Sequence, residues 1–433
     1  MRHLAFCIGV LLWAATAAAQ PAAPLTLEDA IARAIEASHR LAEARAREQG
    51  ALAAVEIRRA GERPTVNVTG SYTRTNHVEE FGVPQPDGRL RIIYPDIPDN
   101  YFARSSFQWP IFTFGRTDML ERAAEAEARA VAAEIDVARA DLRLEVTRAY
   151  WALVTADESV SVLQGALERA NAHLRDIKAM FDQGLVPPNE VSSVEAQRSR
   201  QQMQLIEAQN VRASVLEELR RLTGLPGAEI TIPPLPPTLA PAPAASFGEP
   251  GALNRAERRA LLERITAAEE LKKAAETGRK PTIAANGGVD YANPNPRIFP
   301  RKGEWQESWD LSVNVNWPIW DGGRSKAEAA QAAAMATATR ERLADLDALI
   351  ALDVRQRQLD IASAKAAIAA AEDAVRSAQE ARRVVDERFR VGVATNTEVL
   401  DAQVALLQAE LDRTRAIANL RLAEARLDRA LGR

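Results

Sequence analysis

The sequence predicts a mainly α fold with a small β part, in which long antiparallel coiled-coil helices are joined to four strands of a membrane β-barrel. Three observations carry that prediction. Trp109–Gly224 lies over Trp317–Gly432 without a gap at a constant shift of about 208 positions, as a tandem duplication in intact structural register leaves behind. Each copy holds a proline-free stretch of roughly 65 residues, long enough for a helix of about 100 Å at 1.5 Å per residue. Two segments of about ten residues, alternating between apolar and polar side chains, precede each stretch.

Residues 1–19 read as a signal sequence. Arg2 and His3 precede the apolar run Leu4–Ala15, and AATAAAQ supplies small residues for cleavage after Ala19. The only cysteine, Cys7, lies inside that run, so residues from 20 onward have neither a thiol nor a disulfide framework. A first repeat is expected over 20–224, a Pro-rich link over 225–250 and a second repeat over 251–433. Apolar residues make up 47% of the chain and aromatics only 5%, which is thin for ordinary globular cores and leaves alanine to fill the helix contacts. The net charge of −4 gives no case for nucleic acid.

The first helix is expected over Leu27–Ala60, capped by Thr26 and closed by Gly61 and Pro64. Strands follow near 64–75 and 101–113, joined by the Pro- and Asp-rich loop Asn76–Asn100. In the first, Val66, Val68, Gly70 and Tyr72 alternate with Asn67, Thr69, Ser71 and Thr73. A long helix over Thr117–Phe181, a turn and a shorter helix over Asn189–Leu222 complete the copy. The second copy offers strands near 281–291 and 308–320, with Leu311, Val313, Val315, Trp317 and Ile319 set against Ser312, Asn314 and Asn316. Its long helix runs over Ser325–Arg390 and its short helix over Thr397–Leu431, where Leu400, Val404, Leu407, Leu411, Thr414, Ala418 and Ala425 keep a 3,4 step.

One apolar and one small, uncharged polar face, with a Trp near one strand end, suit a barrel wall between lipid and water. Four strands cannot close a barrel, and an open edge in lipid leaves backbone groups unpaired, so oligomerisation is required. Two chains would give eight strands and a filled interior; three would give twelve and an aqueous lumen. The alternative is an exported coiled-coil scaffold or adhesin whose strands pack on themselves.

WPIFTFGR (109–116) returns as WPIWDGGR (317–324), and FDQGLVPPNEV (181–191) returns as FRVGVATNTEV (389–399). With the strand–strand–helix–turn–helix order, these motifs resemble the TolC-like outer-membrane efflux protein family over nearly the whole chain after the signal sequence. The resemblance implies a homotrimer: a twelve-stranded outer-membrane β-barrel, set in lipid, continuing into a helical tunnel across the periplasm. It also implies a periplasmic adaptor and an inner-membrane pump as partners, with the chain acting as the channel of a tripartite efflux or type I secretion system.

Trp109 and Trp317 are expected at the membrane interface. The turns Gly184-Leu185-Val186 and Gly392-Val393-Ala394 are the candidate adaptor-contacting tips, because they set small and apolar groups at exposed hairpin ends. In the resembling family, acidic positions in turns of the VLDA type ring the closed periplasmic entrance. This points to Glu398 and Asp401 as gate residues, with Glu190 as the first-repeat counterpart and Arg390 as a partner for the acids. Thr395-Asn-Thr-Glu398 also reads as a capping box, which explains Glu398 without a gate. Phe389 and Ala394 stand where well-known family members place Tyr and Arg.

No catalytic centre is legible. The histidines 3, 39, 77 and 173 are scattered, and Gly322–Gly323 lacks the Lys-Ser/Thr step of a phosphate loop. No cofactor or metal is expected, and Met119, Met180, Met203 and Met335 do not line up as a metal path. The cargo is not written in the chain.

Overall fold

The computed structural model describes residues 24–227, 230–233 and 254–433. The expected signal sequence and most of the expected link at 225–250 lie outside those residues. In chain order the elements are α1 (Leu27–Ala37), α2 (His39–Ala60), β1 (Thr65–Arg74), β2 (Phe81–Pro84), β3 (Leu90–Tyr94), β4 (Asp99–Phe112), α3 (Arg116–Asp182) and α4 (Pro188–Thr223). After the gap come α5 (Ala256–Glu276), β5 (Thr282–Asn293), β6 (Gln306–Asn316), α6 (Arg324–Arg390) and α7 (Asn396–Leu431). The long helices α3 and α6 have 67 residues each and the short helices α4 and α7 have 36 each.

Two compact units partition the chain. The first takes its described residues from Met1–Ser38, Asp141–Phe247 and Arg355–Arg429. Within it, Leu407 of α7 packs with Leu163 and Ala166 of α3 and Leu205 of α4, while Ala416, Ile417 and Leu420 pack with Ala364 and Ile368 of α6. Because α7 serves two neighbouring surfaces, its buried face is wider than the two-position seam expected from sequence. Val399, Leu406, Leu420 and Leu427 are buried, whereas Val404 of that seam is 43% exposed. The second unit comprises His39–Ala140, Gly248–Val354 and Ala430–Arg433. There Ala130 and Ala133 of α3 meet Ala260 of α5, alanine allowing close backbone approach.

Where one helix was expected over Leu27–Ala60, the chain breaks at Ser38, which leaves the helical region (φ −71°, ψ 112°). Thr26 caps α1 as expected, accepting from the Asp29 N–H at 3.1 Å. Ala30 and Ala34 are fully buried, and α1 packs on α4. Ser is a residue type that readily leaves helical geometry.

All four expected strands are present, in one antiparallel sheet ordered β1-β4-β5-β6. The expected loop between β1 and β4 holds a second element, the hairpin β2–β3, turned through Gly88 at φ 81° with the Asp87 carboxylate accepting from the Arg89 N–H. Its Asp-Gly pair between short apolar runs is a hairpin signal that the Pro content obscured. The register aligns Val66, Val68, Gly70 and Tyr72 with Phe107, Ser105, Ala103 and Tyr101, and these with Gly287, Val289, Tyr291 and Asn293. Trp309, Leu311, Val313 and Val315 complete the same face on β6. Thr65, Asn67, Thr69 and Ser71 share the other face with Arg104, Ser106, Asn286, Asp290, Asp310, Ser312 and Asn314.

Candidate functional site

Each hairpin tip follows from a helix C-terminus that needs a left-handed residue. Gly184 (φ 74°) and Gly392 (φ 75°) supply it. The Gly184 N–H donates to the Phe181 carbonyl and the Leu185 N–H to the Met180 carbonyl; Gly392 and Val393 repeat this with Phe389 and Arg388. Both turns are therefore Schellman motifs, which push the next side chain outward. Leu185 is 68% and Val393 65% exposed, with Val186 and Ala394 half-buried beside them.

Beyond the turns the repeats diverge. Thr395 caps α7: the Thr395 N–H donates to Glu398 Oε2 at 3.0 Å, and the Glu398 N–H donates to Thr395 Oγ1 at 3.3 Å. The capping-box reading of Glu398 is thus realised. In α4 the cap position is Pro187, which makes no side-chain cap bond, so the matching Glu190 is not used at its own helix end. Its Oε2 instead accepts from Asn396 Nδ2 at 2.6 Å. Asn396 Oδ1 in turn accepts from Nε2 of the buried His173 at 2.6 Å, and Phe389 stands edge-on to that imidazole at 5.5 Å. This hydrogen-bonded chain ties the two hairpins together. Asp401, one helical turn beyond Glu398, is exposed, and Arg390 is exposed and forms no ion pair with either acid within the chain among the described residues. His173 and Asn396 escaped the sequence reading because the pairing spans 223 positions.

In the sheet, the Trp109 indole donates to the Glu62 carbonyl at 3.1 Å, and both Trp109 and Trp317 stay exposed where strands lead into helices. At the opposite strand ends lies a second aromatic group: Tyr72 on Tyr101 (5.1 Å), Tyr101 near Trp305 (5.8 Å) and Tyr291 stacked on Trp305 (4.9 Å). The apolar band between two aromatic girdles is the pattern of a strand layer in lipid.

The opposite face departs from the uncharged expectation. Arg104 on β4 reaches Asp290 on β5 at 2.7 Å and Asp310 on β6 at 2.8 Å, and Arg297 reaches Asp310 at 2.7 Å. Gly288 makes the crossing possible, since a Cβ there would sit 2.8 Å from the Arg104 guanidinium and 2.9 Å from the Ser105 carbonyl. These charges neutralise one another across strands, so no single strand reveals them. Among the described residues no helix is long and apolar enough to cross a membrane, and no group of three or more His, Cys, Asp or Glu could hold a metal.

A four-stranded sheet with one lipid-type face, one water-type face and two free edges, joined to paired coiled-coil hairpins, defines one protomer of an oligomeric channel. Residues 30–225 and 253–433 match the family described as Outer membrane efflux protein, and the chain belongs to that family. It is 24% identical over 315 residues to Outer membrane protein TolC of Vibrio cholerae serotype O1, covering 71% of this chain and 72% of that one. The fold matches CusC with a TM-score of 0.81 at 16% identity, covering 94% of this chain and 91% of that one. It also matches the open state of the Neisseria gonorrhoeae MtrE outer membrane channel with a TM-score of 0.77 at 21% identity, covering 94% and 88%. The protein is accordingly an outer-membrane efflux channel, with the fold of trimeric channels that combine a β-barrel with a periplasmic helical tunnel.

Proposed function

We propose that this channel is the passive outer conduit of a tripartite efflux or type I secretion system, and that its periplasmic entrance is closed by the hairpin tips. The observation that carries the gate is the chain His173–Asn396–Glu190, which fastens the first-repeat hairpin to the start of α7. Asp401 adds the charge: three copies around one axis attract cations and repel one another, so the ring is a cation site in the closed state and a spring toward opening once the latch lets go. Glu398 serves the helix cap, and Arg390 supplies a positive group to the neighbouring protomer's acids. The periplasmic adaptor would engage Gly184-Leu185-Val186 and Gly392-Val393-Ala394, and the inner-membrane pump would choose the cargo.

Planar-bilayer recording tests the gate. Asn396→Ala should raise single-channel conductance severalfold, because it unties Glu190 and strands the buried His173, an unpaired buried group costing about 1–3 kcal/mol. Asp401→Ala should leave conductance near the parent value but remove block by trivalent cations added from the tip side. Parent conductance in Asn396→Ala together with unchanged block in Asp401→Ala would refute a gate at this place.

A further inference from the structure

We propose that the β5–β6 loop, residues 294–305, is held inside the mouth of the barrel by Arg297 and limits the size of molecule that can pass there. The inference rests on the polar sheet face lining the lumen. From the end of β5 the chain folds back over that face. Asn295 is fully buried, and its Nδ2 donates to the Gln306 carbonyl and to Ser308 Oγ, both at 3.0 Å. Ala292 and Asp290, which share the face, are buried, whereas β1 in the same sheet is exposed throughout.

Asn295 also sets the next step, its Oδ1 accepting from the Arg297 N–H at 2.9 Å. The Arg297 side chain then runs down the wall. Nη1 donates to the Trp309 carbonyl at 3.1 Å, Nη2 to Asp310 Oδ1 at 2.7 Å, and Nε lies 3.4 Å from Asp290 Oδ2. Arg104 holds the same two aspartates from the wall itself. Two arginines balance two aspartates, so removing Arg297 leaves an excess negative charge that draws in water and frees the loop. The outer part of the loop is fixed elsewhere: Arg301 donates to the Tyr94 hydroxyl at 3.2 Å with its guanidinium over the ring, and Trp305 returns to the aromatic girdle on Tyr291. The stretch 294–297 is thus the inward arm of an anchored loop, and three such arms narrow a twelve-stranded lumen from three sides.

The chain's one cysteine, Cys7, falls in the expected signal sequence, so Asn314→Cys places a single thiol on the polar face, below the loop. Intact cells bearing this variant are labelled from outside with a small impermeant maleimide and with a maleimide on a long polyethylene glycol chain. The small reagent should react at equal rates with and without Arg297→Gln, which also reports a folded, water-lined wall. The large reagent should react slowly in the parent and about tenfold faster or more in Arg297→Gln, as expected for loss of charge-assisted bonds. Should Arg297→Gln not assemble into trimers, Asp310→Asn, which leaves Arg104 paired to Asp290, is read in the same way. Equal rates for the large reagent would overturn the loop's role alone. Failure of the small reagent to label Asn314→Cys would overturn the lumen reading and the proposal with it.

Discussion

At the scale of single residues, the two tips show one side chain taking two roles because of its neighbour. Glu190 and Glu398 stand at matching places in the repeats, but Thr395 draws Glu398 into a capping box while Pro187 leaves Glu190 to bind Asn396. Pro187→Thr should therefore recapture Glu190 at its own helix end, weaken the link to Asn396 and raise bilayer conductance; unchanged conductance would mean that the link is incidental to gating. Thr395→Ala should cost about 1 kcal/mol of stability, read as a lowered unfolding midpoint of the detergent-solubilised trimer. Asp321 offers a pH test. The Ser325 hydroxyl, the Ser325 N–H and the Gly323 N–H together hold its carboxyl down at about 2. A depressed pKa contributes stability above the unfolded-state value of about 3.9 and loses it as pH falls through the folded value. Asp321→Asn should thus be less stable than the parent at neutral pH, and the difference should shrink between about pH 4 and pH 2. A difference constant over that window would assign the loss to geometry instead. From sequence, the cap role of Glu398 was legible because an acid stands three residues after Thr395, whereas its reading as a gate residue came from the family resemblance alone. The hydrogen bond between His173 and Asn396 was not legible, since the two meet only once the hairpins are packed.

At the scale of elements, the strands were legible because lipid and water select opposite side chains at successive positions, so alternation survives without knowledge of the partner strand. What alternation cannot give is register, and Arg104, Asp290 and Asp310 owe their pairing entirely to register. The break at Ser38 was lost for a related reason, since it depends on packing that local propensity does not encode, whereas the hairpin β2–β3 carried a local Asp-Gly signal that the surrounding prolines obscured. The two faces predict unequal tolerance on β6. Val313→Arg should impede barrel assembly at a cost of about 2–4 kcal/mol, whereas Asn314→Ser should be silent. The measurement is the yield of heat-modifiable trimer in the outer membrane, and equal yields would refute the lipid assignment of the Val313 face.

At the scale of the whole molecule, the free edges β1 and β6 and the exposed tips are requirements that one chain cannot meet alone. In lipid each unpaired backbone group costs several kcal/mol, so the edges demand a neighbouring chain. The tips lie in water, where exposed Leu185 and Val393 carry a weaker demand that a partner surface can satisfy. Leu185 and Val393 sit at equivalent places in the two repeats, both thrown outward by Schellman turns. A trimer therefore offers six near-equivalent apolar points, three from each repeat. An adaptor that reads them should tolerate the sequence difference between Leu185 and Val393 but not the loss of exposure or apolarity. Cysteines placed singly at Leu185 and at Val393 should each cross-link to the adaptor in intact cells, while a cysteine at exposed Leu359 within α6 should not. Aspartate at both tip positions should abolish efflux while leaving trimer yield unchanged, because neither side chain contributes to a buried core. Cross-linking from Leu359 with none from the tips would place the adaptor along the helices instead and exclude tip-to-tip docking.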